Sequence, residues 1–253
     1  MKKLKTHNLG KISPALAFFA IASCSAPHAV GINDPYEEAN RKTHASNRML
    51  DRKLIKPASG AYGAGLPQPV RQGIGNFASN LGLPGVVVNN LLQLNLKDAL
   101  KNSTRFFLNT TIGVGGLLDP STAMGLHEES SDFGETLHVW GVGEGNYVEL
   151  PFIGPSTERD MAGMVVDLFT NPLSFGASGA GKLISPAAKG LSKLGDRYEF
   201  SDTIDTILYD SADSYAQARL LYLQHRRFEL GQELSADALV KEGEEAYEDF
   251  YAE

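Results

Sequence analysis

Three glycine-rich runs, a few histidines and serines, and one cysteine are the residues in this chain whose types could do chemistry. Gly176-Ala-Ser-Gly-Ala-Gly181-Lys182 has the spacing of a phosphate-binding loop. Position 183, however, is Leu where such a loop needs Ser or Thr for magnesium, and Asn171-Pro-Leu-Ser-Phe175 does not make the preceding strand. Gly113-Val-Gly-Gly116 and Gly141-Val-Gly-Glu-Gly145 are glycine-rich like dinucleotide fingerprints, but lack their flanking strand and helix. The histidines at 28, 44, 127, 138 and 225 show neither His-x-x-x-His nor His-Glu-x-x-His spacing, so a metal site is not expected. Ser178 has its glycine on the wrong side for a nucleophile elbow. Asp160 directly follows Arg159 and reads as half of a salt bridge rather than as a catalytic carboxylate. No nucleophile–base pair is visible, so the sequence predicts a protein that is not an enzyme and carries no dissociable cofactor.

The cysteine has a different reading. Lys2, Lys3, Lys5 and Lys11 precede the apolar run Ala15–Ala22, and no acid occurs before Asp34. That is an export signal, with an apolar core too short to span a bilayer. It ends in Ile21-Ala22-Ser23-Cys24, which resembles the lipobox of bacterial lipoproteins. The resemblance implies removal of residues 1–23 and covalent diacylglycerol and acyl groups on Cys24. Three chains anchor far more firmly than a single myristoyl group, at ~0.8 kcal/mol per buried CH₂. Ser25 stands where an aspartate would favour inner-membrane retention, which implies the periplasmic face of the outer membrane.

The whole chain of 253 residues carries 23 basic and 30 acidic side chains, a net charge of −7. Losing the signal's four lysines leaves 19 basic residues and a net charge of −11. Nine acids against Lys241 lie between Glu229 and Glu253, so the acidity is concentrated in a tail. Nucleic acid is not an expected partner of such a surface. One cysteine excludes a disulfide framework.

The rest reads as one all-α domain over residues 34–231, between a tether at 24–33 and an acidic tail at 232–253, with at most one or two short strands. Asp34, Pro35 and Glu37 suit a helix start, with Asp34 as cap, running to about Leu54. A loop is expected from Gly60 to Leu66, a helix from Pro67 to Leu81, and another from Pro84 to about Leu94. Asn95-Leu-Lys-Asp98 looks like a cap and restart leading to Thr111. Asn89, Gln93, Lys97, Lys101, Arg105 and Asn109 form an i,i+4 polar row. In one straight helix each step drifts about 40°, so the row needs a break near Asn95 to stay on one face. Such a narrow polar stripe fits either a core helix with satisfied amides or a helix whose apolar side faces outward and whose polar stripe faces in. After the apolar glycine loop Ile112–Pro120, Asp132 caps a helix ending at Gly141. Tyr147–Phe152 reads as extended, Ser156 as the cap of a helix to about Phe169, and Phe175–Gly181 as flexible. Ser185-Pro186 opens helices that pause near 211–213 and stop at Gly231. No mature segment approaches the ~20 apolar residues of a membrane span.

Four blocks resemble the MlaA (VacJ) outer-membrane lipoproteins: Asp34-Pro-Tyr-Glu-Glu-Ala-Asn-Arg41, Arg105–Asp119, Phe133–Gly141 and Gly145–Asp160. One departure is Asn146, where the family usually has Pro, a change expected to loosen that turn. The resemblance implies a ring of amphipathic in-plane helices in the inner leaflet, around a central channel. It implies a protein that takes mislocalised phospholipid from the outer leaflet to a soluble periplasmic carrier, preserving lipid asymmetry, beside a trimeric porin. By carry-over the loop Ile112, Gly113, Val114, Gly115, Gly116, Leu117, Leu118 is a candidate channel wall or gate. Lys97, Lys101 and Arg105 are candidates for its polar stripe. The rival readings are a structural lipoprotein supporting porin or envelope assembly, and a phospholipid-degrading enzyme.

The Cys24→Ala protein is expected to be unlipidated and to keep or miscleave its signal. Intact-mass measurement of wild type would overturn the anchor if it found an unmodified N-terminus at any residue other than 24.

Overall fold

The computed structural model describes residues 32–173 and 181–232. The signal, Cys24, most of the tether, the phosphate-loop lookalike up to residue 180 and the acidic tail lie outside them.

Helix α1 (Glu37–Leu50) passes through a π-helical turn (Asp51–Ile55) straight into α2 (Lys56–Gly65). Asp34 does not cap α1. It instead accepts from Asn40 Nδ2 at 2.8 Å, Arg219 Nη1 at 2.6 Å and the Tyr215 hydroxyl, tying the chain entry to the last helix. The loop expected at Gly60–Leu66 is helical to Gly65. Arg71 Nη1 caps this end by donating to the carbonyls of Gly63 and Leu66, both at 2.7 Å. Helix α3 (Gln68–Leu92) is a single element with Pro84 inside it, not two helices meeting there. A proline costs the i−4 hydrogen bond, but α3 packs along α4 (Leu96–Thr111) and α8 (Gly181–Glu199), and tertiary contact keeps it continuous. The break at Asn95 is present, and its side chain accepts from Asp98 N.

After the short α5 (Pro120–Ala123), α6 (Phe133–Val139) starts on Asp132, which accepts from Glu135 N at 2.8 Å. The extended run becomes a hairpin of β1 (Tyr147–Leu150) and β2 (Gly154–Thr157), with Tyr147 opposite Thr157. Ser156 lies in β2, and Thr157 caps α7 (Glu158–Thr170). Asn146 does not loosen its turn. Its N–H and side-chain amide both donate to Glu158, at 3.1 and 3.0 Å, and the first of these bonds is one that proline could not make. Helix α9 (Ser201–Asp205) runs into a second π turn (Thr206–Asp210), and α10 (Ser214–Glu229) closes the described chain. Packing contacts lead from α3 to α7, β2, α10, the second π turn, α9, α8 and back to α3, so the elements form a closed ring.

Burial in this ring is inverted. Among the described residues the buried apolar side chains are few, such as Leu83, Phe133, Tyr147, Tyr215 and Leu223, and buried polar ones outnumber them. Large apolar side chains meanwhile stand out on most of the helices, including Leu100, Phe107, Leu168 and Phe228. A soluble domain buries the first kind and exposes the second. No helix among the described residues is long and apolar enough to cross a membrane.

Charge-assisted hydrogen bonds clamp the ring. Arg226 on α10 donates to Asp132 at 2.7 Å and to Asp160 at 3.1 Å, and Tyr222 OH donates to Asp160 at 2.7 Å. Burial alone would raise the Asp160 pKa, but the charge and hydrogen bonds of Arg226 hold it below the usual carboxylate range. Arg197 makes a bidentate pair with Asp51, both bonds 2.9 Å, inside the first π turn. Helices α6 and α7 touch through glycines, and a Cβ on Gly163 would lie 2.7 Å from Gly134 Cα.

Replacing Arg226 with Met removes the bonds that join Asp132 and the buried Asp160 to α10, leaving Asp160 with Arg159 and Tyr222, and is expected to cost about 2–4 kcal/mol, read from denaturant unfolding in detergent. Asp51, Asp160, Asp205 and Asp213 all have depressed pKa values. Their stabilisation is complete above the unfolded carboxylate pKa and is lost as pH falls through the folded values. Thermal stability should therefore be flat from neutrality to about pH 5 and decline below about pH 4. A loss under about 1 kcal/mol for Arg226→Met, set against the several kcal/mol of a broken buried pair, would mean that the clamp does not hold the ring.

Candidate functional site

The glycine loop and the polar row meet on α4. Arg105, 4% exposed, donates from Nη2 to Asp119 Oδ2 at 3.0 Å, from Nη1 to Thr122 Oγ1 at 3.1 Å, and to the Leu126 carbonyl. Asn109 donates to the other Asp119 oxygen at 3.0 Å and accepts from Ser121 N. Asp119 in turn caps α5. Burial would raise its pKa, but hydrogen bonds from Thr122, Arg105 and Asn109 hold it ionised and below the usual range. One half-buried carboxylate thus fixes the far end of the loop to the helix that enters it.

Between these anchors the backbone folds on itself. The N–H groups of Ile112 and Gly113 reach the Leu108 carbonyl, Gly115 reaches Thr110, Gly116 reaches Asn109, and Leu118 returns to Gly113. Val114, Gly115 and Gly116 have φ of +55°, +72° and +94°. At Gly116 a Cβ would lie 2.6 Å from Asn80 Nδ2, so only glycine fits against α3. Asn76 Nδ2 holds the Leu117 carbonyl at 3.2 Å from the same helix. With most of its N–H groups bonded inward, the loop turns Ile112, Val114, Leu117 and Leu118 outward, all exposed.

The polar row divides. Asn89, Arg105 and Asn109 are buried, while Leu96, Leu100 and Phe107 on α4 are more than 60% exposed, so apolar groups face out and polar groups face in. Lys101 pairs with Glu129 at 2.5 Å, and Asn102 links Asn90 to the Glu129 carbonyl. Lys97 is exposed and reaches Glu129 only by through-space attraction. Lys101 and Arg105, one turn apart on α4, thus each hold their own carboxylate, Glu129 and Asp119, and Lys97 has none at salt-bridge distance among the described residues. Asp119, Asn76 and Asn80, which set the loop, were not singled out by spacing, because asparagines on a helix carry no signature of what they face.

A second constellation also escapes sequence reasoning. His44 Nε2 lies 3.1 Å from Ser214 Oγ, and His44 Nδ1 lies 3.2 Å from Glu149 Oε1. These are the distances of a Ser–His–acid triad, drawn from α1, β1 and α10. All three residues are buried. The N–H groups of Tyr215 and Ala216, next to Ser214, both donate to Asp213 Oδ1 at 3.0 Å. A carboxylate therefore occupies the place where an oxyanion would need donors. Tyr147 OH takes the remaining Glu149 oxygen at 2.5 Å. The group binds three elements together, and its arrangement does not suit acyl transfer. Among the described residues no cluster could hold a metal ion.

The sequence profile of the MlaA lipoprotein family matches residues 32–229. The chain is 37% identical over 205 residues to the Escherichia coli intermembrane phospholipid transport system lipoprotein MlaA, covering 78% of each. It is 29% identical to the Haemophilus influenzae protein of the same name, covering 78% of this chain and 79% of that one. An uncharacterized protein of Rickettsia bellii is 35% identical over 77% of this chain and 76% of its own. A solved structure from work on the maintenance of bacterial outer-membrane lipid asymmetry superimposes with a TM-score of 0.66 at 32% identity, covering 78% of this chain and 98% of that one. The ring of helices, the inverted burial and the hydrogen-bonded glycine loop thus have a common source, and the chain belongs to the MlaA lipoprotein family.

Proposed function

We propose that this protein removes phospholipid that has strayed to the outer leaflet of the outer membrane and passes it, through its ring of helices, to a soluble periplasmic carrier. The observation that carries the reading is the inverted burial around the glycine loop. Helix α3, with 25 residues, is long enough to span, but its amides at 76, 80, 89 and 90 exclude that. Helices with outward apolar faces and no span lie in the bilayer rather than across it. The acyl groups proposed for Cys24 would hold the ring at the periplasmic face of the outer membrane. The porin and carrier partners rest on the resemblance to the family.

A phospholipid in transit presents two apolar chains and a charged headgroup together. Ile112, Val114, Leu117 and Leu118 offer the apolar surface. Lys101 with Glu129 offers a polar one already neutralised as a pair, and Arg105, buried against Asp119, holds the loop in place behind it. Compensated pairs let a headgroup pass without trapping it as a bare cation would. Because five of its seven N–H groups are bonded inward, the loop serves better as a fixed wall than as a hinge.

The test is outer-leaflet phospholipid in a deletion strain carrying variants. Leu117→Gln with Leu118→Gln changes only exposed side chains, so abundance should stay near wild type while outer-leaflet phospholipid rises toward the deletion level. Gly116→Val would report on folding instead, because φ of +94° and contact with Asn80 make it cost about 1–3 kcal/mol. Ser214→Ala should complement fully. Full complementation by the double glutamine variant at normal abundance would remove the loop from the route, and failure of a well-folded Ser214→Ala would turn the reading toward ester hydrolysis.

A further inference from the structure

On the α1 side of the ring, built from elements other than those of the glycine loop, three cations gather round one aromatic side chain. Arg48, Arg52 and Lys56 follow at four-residue steps through the end of α1, the first π turn and the start of α2. Their charged ends lie 5.6, 4.7 and 5.2 Å from the centre of the Tyr209 ring. The Tyr209 hydroxyl donates to Asp51 Oδ2 at 2.7 Å, which fixes the ring from the second π turn. Two carboxylates, Asp51 and Asp205, join the group. Both are taken up by Arg197, with Lys56 also on Asp205. Four cations against two carboxylates leave an excess of two positive charges, carried by Arg48 and Arg52. Like charges four residues apart on a helix repel, and the face of one ring offsets only part of that.

Among the described residues neither Arg48 nor Arg52 has a carboxylate within salt-bridge distance. The chain has further acids in one place only. None precedes Asp34 and none occurs between residues 174 and 180, so every side-chain carboxylate outside the described residues belongs to the tail, 233–253. Six of them, Glu242, Glu244, Glu245, Glu248, Asp249 and Glu253, follow Lys241 with no further base. At the root of the tail the cations are already engaged, Arg226 with Asp132 and Asp160 and Arg227 with Glu144. Reach is sufficient. Helix α10 opens at Ser214, shortly after Tyr209, so the way back along its 16 residues is about 24 Å. Glu242 lies ten residues beyond Gln232, and ten residues can span about 33 Å. An anionic membrane surface offers the same charge, but a tethered tail competes with it from an effective concentration on the order of 1 mM.

We infer that the acidic tail binds back on its own ring, with carboxylates of residues 242–253 on Arg48 and Arg52 beside Tyr209. The family match ends at residue 229, before the tail begins, and the contact does not rest on the transport reading. The test uses the full chain purified in neutral detergent at low salt, carrying Arg52→Lys, which keeps the charge and supplies a reactive amine. A carbodiimide then joins that amine to any carboxylate touching it, and mass spectrometry reads the linked peptides. Links from residues 242–253 to position 52 are expected, and they should persist in nanodiscs containing phosphatidylglycerol. Their yield should fall at least fivefold with Arg48→Glu. It should fall as far with Glu244→Lys plus Glu245→Lys, which lie outside the ring and leave its internal contacts unchanged. Combining all three reversals should restore a link between the same two segments. In a mixture of unlabelled and nitrogen-15-labelled protein, links should stay within one label. Links across labels would put the tail on a second copy, and loss of the link in phosphatidylglycerol would assign the cations to the membrane. Links that survive both reversals, or that fall equally on Lys97, Lys101 and Lys193, would mean unspecific contact. Any of these results, or no link at all, overturns the site.

Discussion

Everything in this fold follows from one constraint: a chain that turns its apolar side chains outward must satisfy its polar groups from within. The buried arginines show how this is met. Arg105, Arg159, Arg197 and Arg227 are all inside, and the first and third each share an aspartate with a further donor, Asn109 and Tyr209 respectively. Unpaired, any of these charges would cost several kcal/mol in a low-dielectric surrounding. Paired, they specify which helix meets which, because a guanidinium fork accepts few geometries. The ring is thus assembled by polar complementarity, where a water-soluble domain of this size would use a hydrophobic core.

The same constraint explains why the glycine loop is ordered. An apolar loop cannot rely on solvent for its amides, so those of residues 112, 113, 115, 116 and 118 return to backbone carbonyls of α4 and of the loop itself. Asp119 then closes the turn by caging the exit. Loop, helix and cap behave as one unit, and each depends on the others for its hydrogen bonds.

Much of this was legible in the residues, and the reasons differ by element. The break at Asn95 and the cap at Asp132 could be read because capping is local, a side chain and an amide three residues apart. The family blocks around Arg105 and Phe133 pointed to the fold as a whole. Asp34 was misread as a cap because its partners, Tyr215 and Arg219, lie some 180 residues away. Pro84 and Gly60–Gly65 were misread for the opposite reason: local breaker signals were overridden by packing against neighbouring helices. The union of His44, Glu149 and Ser214 had no signal at all, since nothing in spacing links residues separated by more than a hundred positions.

Among the described residues, the non-glycine positions with positive φ are Leu94, Val114 and Phe152, and each is a large apolar side chain with most of its surface open. Glycine would relieve the backbone at all three at almost no steric cost. The chain keeps hydrocarbon there instead, at corners set far apart in the sequence. A version of this protein optimised for stability in water would drift toward glycine at those corners and gain thermal resistance as it did so. Selection for stability in solution and selection for outward hydrocarbon therefore pull this sequence in opposite directions, and the strained corners record which of the two has prevailed.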